Sequence, residues 1–230
     1  NGDYWGRLTT SSSEETIRPA KGLITPTGIN VTILSEISDG FIVRTPCGNT
    51  TTVSTGQIIE DVQIVVDPGH GGSVDPGATQ NGIIEREINQ EVADELINNL
   101  TTREITAFNL RSGNYHIPLF VRSAYADQLQ AEAMVSIHHN SPSASSSGTP
   151  GTESYIQSSS SASLRLGGYV QDAVFNKLSE NTSVNWVSRS DAGVLRVLNS
   201  LGTDTYGMLS RPKTPTTLVE LAYISNSSEA

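Results

Sequence analysis

The sequence predicts an α/β fold with a mostly parallel or mixed sheet covered by helices on both faces, preceded by a small all-β module. Two observations carry this prediction. From Asp61 onward, short apolar runs alternate with helical patterns of ten or more residues, which is typical of crossover units between parallel strands. Between Gly22 and Gly56, short β-branched runs are broken by turn residues, which indicates a β module of three or four strands.

Length and charge limit the classes of function. The 230 residues suit one medium domain plus a small module, because domains most often have roughly 100 to 150 residues. The 24 acidic residues outnumber the 14 Lys and Arg residues and give a formal net charge of -10, so DNA and RNA are poor partners. No apolar stretch approaches the ~20 residues of a membrane span. With Cys47 as the single cysteine, any metal site must use His and carboxylates.

The N-terminal part divides into two segments. Residues 1–20 are polar and lack helical or strand periodicity, so we expect a tail or linker there. Residues 21–60 form the predicted β module, with strand-like runs at 29–34, 40–44 and 50–54. Residues 61–230 then form the predicted α/β domain.

The α/β domain begins with an apolar run at residues 62–66, typical of a buried parallel strand, which ends in the turn sequence DPGHGG. Ile84, Ile88, Val92 and Leu96 then repeat every four residues, which predicts a helix with one apolar face. The later patterns predict, in order, a strand at 104–110, a helix from about residue 118, strands at 133–137 and 153–156, a helix at 164–178, and strands at 194–198 and 217–224.

Three predicted strands carry a polar residue of unusual type at or just past their carboxyl ends, namely His70, His138 and Glu220. Ligands bind at this edge of open α/β sheets, and parallel strands would bring the three groups together. Each residue also has a plainer interpretation. His70 can simply decorate a turn, and Glu220 can form a structural ion pair with Arg211 or Lys213.

Two further positions stay open at this point. Adjacent strand residues face opposite sides of a sheet, so His138 and His139 compete for one role. Glu85 offers a carboxylate at the start of the first helix, although the helix dipole also favours an acid there and Glu87 is a rival. His116 lies in a loop-like segment, where we expect it to pack.

Two histidines and a carboxylate form a ligand set of catalytic zinc, and a further carboxylate can serve as base, so these residues indicate metal-assisted hydrolysis.

Several segments, taken in order, resemble the zinc-dependent N-acetylmuramoyl-L-alanine amidases of the bacterial cell wall. They are VVDPGHGG at 65–72, GIIE at 82–85, Asn89, Arg122, SIHHN at 136–140 and LVE at 218–220. The resemblance runs from about residue 63 to the C-terminus and implies a phosphorylase/hydrolase-like fold. It implies one Zn²⁺ ion held by His70, Glu85 and His138, with Glu220 as the catalytic carboxylate. It selects His138 over His139, because the ligand of the family directly follows Ser-Ile.

The resemblance also implies the reaction. An exported protein of the cell envelope would hydrolyse the amide between N-acetylmuramic acid and the L-alanine of peptidoglycan, with Glu220 taking a proton from water and returning it to the departing amine. Asn140 and Arg122 match family positions with substrate or structural roles. Either Asp67 or Asp75 could orient His70. The alternatives are a zinc peptidase that acts on stem peptides and a non-catalytic wall-binding protein, and a regulatory protein partner stays unidentified.

Two features depart from the pattern of the family. Its members continue past the strand of Glu220 into a final helix, whereas this chain stops at Ala230, so we expect an exposed apolar face. Residues 141–161 are rich in Ser and Gly without an apolar helical stripe, which predicts a loop and an open cleft rather than an inserted regulatory helix. The β module is expected to act as a spacer or to bind the wall in the manner of small SH3-like modules.

Overall fold

The computed structural model describes residues 21–141, 151–188 and 193–230. The expected tail at residues 1–20 lies outside this description, and so do residues 142–150 of the expected loop. The described chain contains an N-terminal antiparallel sheet, a larger mixed sheet with helices, and a small hairpin.

Five short strands form the N-terminal sheet: β1 (Gly22–Ile24), β2 (Asn30–Ile37), β3 (Gly40–Arg44), β4 (Thr50–Val53) and β5 (Gln57–Ile59). They are antiparallel in the order β4-β3-β2-β1-β5. Leu23, Val31, Ile33 and Val43 form its buried centre. The sequence patterns did not reveal β1 and β5, because strands of three residues are too short for a period of two to be visible.

The larger sheet contains β6 (Ile64–Pro68), β9 (Ala107–Asn109), β10 (Ala133–Asn140), β11 (Gly151–Ile156), β12 (Val187–Ser188), β13 (Val194–Leu195) and β14 (Thr216–Tyr223). A hairpin of β7 (Thr79–Gln80) and β8 (Ile83–Ile84) lies outside it. Strands β9, β6, β10 and β14 are parallel neighbours in that order. Strand β11 is antiparallel to β14, and β12 and β13 pair with β11. The predicted mixed sheet is confirmed.

Both faces of the larger sheet are covered by helices: α1 (Glu85–Thr101) and α3 (Ser161–Leu178) on one face, α2 (Leu119–Leu129) and α4 (Gly207–Ser210) on the other. Val66, Val135 and Val219 pack toward α1 and α3. Their neighbours Val65 and Met134 point the opposite way and pack with α2. Because side chains alternate along a strand, the continuous apolar runs of β6 and β10 supply both cores, as buried parallel strands require. The predicted helical cover on both faces is confirmed.

Strand β10 is longer than the sequence predicts. Its apolar run ends at Ile137, but pairing with β14 continues through His138 opposite Glu220 and Asn140 opposite Tyr223. Strand β10 continues past its apolar residues because β14 pairs with it. The periodicity of the sequence therefore could not show where β10 ends. The polar residues after Ile137 therefore lie on a strand and not in a loop.

The N-terminal sheet packs against α2 and β9. The hydroxyl of Tyr125 donates to the carbonyl of Arg44 at 2.7 Å, and Gln128 Nε2 donates to the carbonyl of Ile33 at 2.5 Å. Asn30 Nδ2 donates to the carbonyl of Asn109 at 2.6 Å. Tyr125 is fully buried at this junction. These contacts attach the module to the α/β domain through defined hydrogen bonds.

An apolar groove of about 530 Å³ lies on the side of α1 and α3. Ile88 and Val92 of α1 line it together with Val174 of α3 and Leu221 of β14. In the part of the chain that is described, no helix has both the length and the apolar character needed to cross a membrane.

We expect Tyr125→Phe to lower the free energy of unfolding by about 1–2 kcal/mol, because the Arg44 carbonyl loses a buried donor. Equilibrium unfolding in urea, followed by circular dichroism, measures the change. Tyr169→Phe is the matched control, since Tyr169 is 75% exposed and its change should stay within ~0.5 kcal/mol. Equal stability of the two variants would contradict a stabilising role for this bond.

Candidate metal centre

Three of the predicted site residues meet at one carboxylate oxygen. Oε1 of Glu85 lies 3.1 Å from Nε2 of His70 and 3.1 Å from Nδ1 of His138. The two imidazole rings stand edge to face with centroids 4.9 Å apart. His70 follows β6, Glu85 begins α1 and His138 lies on β10, so the chain brings together residues from three separate elements.

Backbone donors fix the carboxylate of Glu85. Oε2 accepts from the amide of Ala78 at 2.9 Å, and Oε1 accepts from the amide of His139 at 3.2 Å. Burial disfavours the charged carboxylate, but hydrogen bonds from His138 and His70 outweigh it and hold the pKa of Glu85 far below its usual value. The rival Glu87 pairs with Arg86 and has a side chain that is 54% exposed.

A second carboxylate orients His70. Oδ1 of Asp75 lies 2.6 Å from Nδ1 of His70, which leaves Nε2 for the cluster. Burial opposes a charged ring, but the bonds to Glu85 and Asp75 prevail and raise the pKa of His70 to about 9. Nδ1 of His116 lies 3.8 Å from the other oxygen of Asp75. Of the two aspartates that the sequence left open, Asp75 is the one in contact with His70.

Asp67 pairs instead with Arg122, beneath the loop that presents His70. Arg122 Nη1 donates to Asp67 Oδ1 and to the carbonyl of Pro68, and Nη2 donates to the carbonyl of His70 at 2.6 Å. Ser136 Oγ donates to the second oxygen of Asp67 at 2.7 Å. Arg122 is 2% exposed. The guanidinium group of Arg122 therefore fixes the loop of His70 from the protein interior. It does not line the cleft that contains Glu220.

Sequence reasoning missed a second arginine in the same place. Arg111 follows β9 and is 1% exposed. Its guanidinium group donates to the carbonyls of Pro68, Gly69, Arg86 and Gly113 at 2.9–3.3 Å. Burial and the nearby charge of Arg122 lower the pKa of Arg111 to about 10. The available signal was its position at the carboxyl end of a predicted strand, the same position that singled out His70.

Two glycines make room for the cluster. A Cβ on Gly69 would lie 2.2 Å from the ring of His138, so only glycine lets that ring rest on the backbone of the loop. Gly77 has φ +67, and a Cβ there would lie 2.6 Å from Oε2 of Glu85. His70 itself adopts φ 62, an uncommon conformation for a residue other than glycine that recurs at functional sites.

Glu220 stands beside the cluster. It is the register partner of His138, so both side chains leave the same face of the sheet. They line one cleft of about 520 Å³ together with His70, Glu85, Asn140 and Tyr206. Among the described residues, Oε2 of Glu220 is buried without a hydrogen-bond partner. Burial raises the pKa of Glu220 to about 7, while His138 opposes this shift and Glu85 adds to it.

The structural ion pair considered for Glu220 is not formed. Within the described ranges, no salt bridge joins Glu220 to Arg211 or Lys213. The carboxylate that does pack beside it is Glu153 of β11, which lies directly opposite Glu220 in the antiparallel pair. Sequence reasoning placed Glu153 on a strand but gave it no role, because nothing local indicated its partner across the sheet.

The donor groups fit a metal ion. Among the described residues, His70, Glu85 and His138 form a group whose candidate ligand atoms all lie within 4.8 Å of one another. Two imidazoles and one carboxylate are a ligand set of catalytic zinc that leaves a fourth position open. The contact of both rings with the same carboxylate oxygen is the convergence that a cation among these donors requires.

Comparison with known proteins agrees with this geometry. The sequence model of a family described as N-acetylmuramoyl-L-alanine amidase matches residues 64–230, which include all the candidate site residues. The chain belongs to the N-acetylmuramoyl-L-alanine amidase family. The resemblance expressed by the HGG, IIE, SIHHN and LVE segments is thereby confirmed.

Relatives of this amidase-family chain are bacterial. It is 34% identical to YqiI of Bacillus subtilis (strain 168) over 190 residues, which are 80% of this chain and 82% of YqiI. It is 32% identical to N-acetylmuramoyl-L-alanine amidase LytC of the same strain over 212 residues, 89% of this chain but 38% of LytC. The crystal structure of N-acetylmuramoyl-L-alanine amidase from Clostridium difficile 630 aligns with TM-score 0.61 at 23% identity, over 73% of this chain and 82% of that one, and shows the fold.

We expect Arg111→Lys to lower the free energy of unfolding by about 2–4 kcal/mol, because one ammonium group cannot replace a guanidinium that serves four carbonyls. Urea unfolding in the presence of a chelator measures this without any contribution from metal. Arg165→Lys is the control, since Arg165 is exposed on α3. A loss below about 1 kcal/mol for Arg111→Lys would contradict the bonding described above.

Proposed function

We propose that the chain is a zinc-dependent hydrolase that cleaves the amide bond between N-acetylmuramic acid and the L-alanine of peptidoglycan. The observation that carries the proposal is the convergence of His70, Glu85 and His138 beside the unpartnered carboxylate oxygen of Glu220. Family membership names the reaction class, and the donor set explains how this chain would perform it. Because the chain spans 38% of LytC, the activity and substrate of that relative are extended here by inference.

His70, Glu85 and His138 would hold one zinc ion. When bound, zinc polarises the amide carbonyl and lowers the pKa of a bound water towards ~7. The surrounding residues keep two of the three ligands in place: Asp75 binds the far nitrogen of His70, and the amide of Ala78 binds the far oxygen of Glu85. These contacts fix the ring and the carboxylate before any ligand arrives, which lowers the cost of ordering the site.

Glu220 acts as base and then as acid. Its free Oε2 accepts the proton of the attacking water and, as the C–N bond breaks, returns it to the nitrogen of the departing alanine. A carboxylate with an unpartnered oxygen suits this exchange, because no fixed donor competes with the proton for that oxygen. The raised pKa of Glu220 brings its two protonation states closer in energy near neutral pH.

We propose peptidoglycan as the partner, an exported or envelope location, and a spacer role for the N-terminal module, since it bonds to α2 and β9 rather than to the cleft. The division of the chain into this module and the α/β domain is part of the proposal. The site roles of Asn140 and Arg122 are part of it as well. For Arg122 the contacts favour fixing the His70 loop.

We expect Glu220→Gln to keep bound zinc but lose at least about a hundredfold in turnover, because an amide cannot take the proton. Purified peptidoglycan is digested and its products are separated by mass. Sugar chains freed from intact stem peptides support the amidase, whereas shortened stems would indicate a peptidase. Glu132→Gln, at an exposed acid, is the control and should stay fully active. Near-normal turnover of Glu220→Gln would exclude the assigned role.

We expect His70→Ala to abolish stoichiometric zinc binding, because it removes one of three protein ligands. Metal content after dialysis against a weak chelator measures this, with one zinc per chain expected for the unmodified protein. His116→Ala should retain the ion, since His116 is not in the ligand group and its Nδ1 lies 3.8 Å from the outer oxygen of Asp75. Equal metal content in both variants would show that the ligand set is wrong.

A further inference from the structure

A second buried carboxylate stands next to Glu220. Glu153 of β11 and Glu220 of β14 are opposite each other across the antiparallel pair, so their side chains share one face of the sheet. Glu153 is 4% exposed. Its oxygens accept from the hydroxyl of Tyr155 at 2.6 Å, the hydroxyl of Tyr223 at 3.1 Å and Nδ2 of Asn140 at 3.2 Å. The two neighbouring acids therefore differ in their partners.

Three partners of Glu153 among the described residues present donors. An ionised carboxylate can only accept hydrogen bonds, and the two hydroxyls and the amide supply N–H or O–H groups to it. Hydrogen bonds to a charged group are stronger than those between neutral groups. Glu153 thus imposes one polarity on these three groups.

That polarity decides how Asn140 is presented. An asparagine amide has a donor end, Nδ2, and an acceptor end, Oδ1, and a half turn of the side chain exchanges them. Opposite a carboxylate only the donor end forms a bond, so Nδ2 faces Glu153 and Oδ1 turns away from it. Asn140 lines the cleft together with His138 and Glu220. Oδ1 has no hydrogen bond among the described residues, so the acceptor end is open to a ligand in that cleft, beside the one N–H of Nδ2 that Glu153 does not use.

We propose that Glu153 is a positioning residue that fixes the amide of Asn140 so that Oδ1 accepts a hydrogen bond from an N–H group of the substrate. The inference rests on the proposed amidase function. Besides the N–H of the scissile amide itself, a muropeptide offers such a donor in two places near that bond, the peptide N–H of the residue after L-alanine and the acetamido N–H of the sugar, and Asn140 would accept from one of these two. Asn140 would touch the substrate, and Glu153 would act through Asn140.

Exchanging donor and acceptor tests the polarity. Glu153→Gln lets the amide of Asn140 turn, and Asn140→Asp sets two carboxylates against each other, so each should raise KM for a soluble muropeptide about tenfold with a smaller effect on kcat. The double variant E153Q/N140D keeps the net charge and lets the new glutamine donate to the new aspartate. KM should then return to within about twofold of the original value.

A structural role alone would not produce this rescue. If KM stays unchanged in the single variants, or if their effects add in the double variant, the proposal is overturned. Tyr169→Phe is the control, because Tyr169 is 75% exposed on α3 and does not line the cleft, and its KM should not change. The same pattern is expected in dissociation constants measured by calorimetry in the Glu220→Gln background, where binding proceeds without turnover.

Asn140→Ala keeps the test decisive if a charged variant fails to fold, since it removes the acceptor from a half-buried position and should also raise KM about tenfold. Substrates with an N-methyl group on the peptide nitrogen or on the acetamido nitrogen identify the donor. Methylation of the true donor should raise KM in the original chain and have no further effect in Asn140→Ala. If neither methylation is coupled to Asn140, the proposal fails. A chain that releases no intact stem peptides would instead refute the amidase function itself.

Discussion

The loop that presents His70 depends on two buried guanidinium groups. Its carbonyls at Pro68, Gly69 and His70 point into the protein, where water cannot satisfy them, and a buried carbonyl without a donor is costly. Arg111, which follows β9, and Arg122, which lies in α2, supply the donors. Burial lowers the pKa of Arg111, the adjacent positive charge of Arg122 lowers it further, and the carboxylate of Asp67 offsets part of that repulsion. The left-handed backbone of His70 persists because this bonding fixes its surroundings.

Three glutamates at the same edge of the sheet differ through their partners alone. Glu85 receives both histidine rings and two backbone amides, and its pKa is held low. Glu153 receives two hydroxyls and an amide side chain. Glu220, between them, keeps one oxygen buried and unpartnered, and its pKa is raised. Identical side chains thus obtain three different environments, because desolvation and hydrogen bonding act in opposite directions on a carboxylate. These environments suit the ligand, positioning and proton-transfer roles that we propose for them.

Strand alternation separates the two adjacent histidines. His138 shares a face with Glu220 and contacts Glu85, whereas His139 turns toward α1 and places Nδ1 2.8 Å from Oδ1 of Asn89. Burial lowers the pKa of His139 to about 4, so its ring is neutral at ordinary pH. Its backbone amide still donates to Glu85. The main chain of His139 therefore supports the carboxylate of Glu85, while its side chain packs against α1.

The sequence by itself determined the α/β class, the order of the elements and the polar residues at the ends of three strands, because apolar periodicity and turn residues act locally along the chain. Recognition of ordered family segments then selected His138 and the role of Glu220. Tertiary structure alone decided that Asp75 orients His70 while Asp67 pairs with Arg122, that Arg111 supports the loop, and that Glu153 lies opposite Glu220. These outcomes depend on register between strands that are distant in sequence, and on how far β14 extends β10. No local pattern encodes either one, since pairing is a property of two segments and not of one.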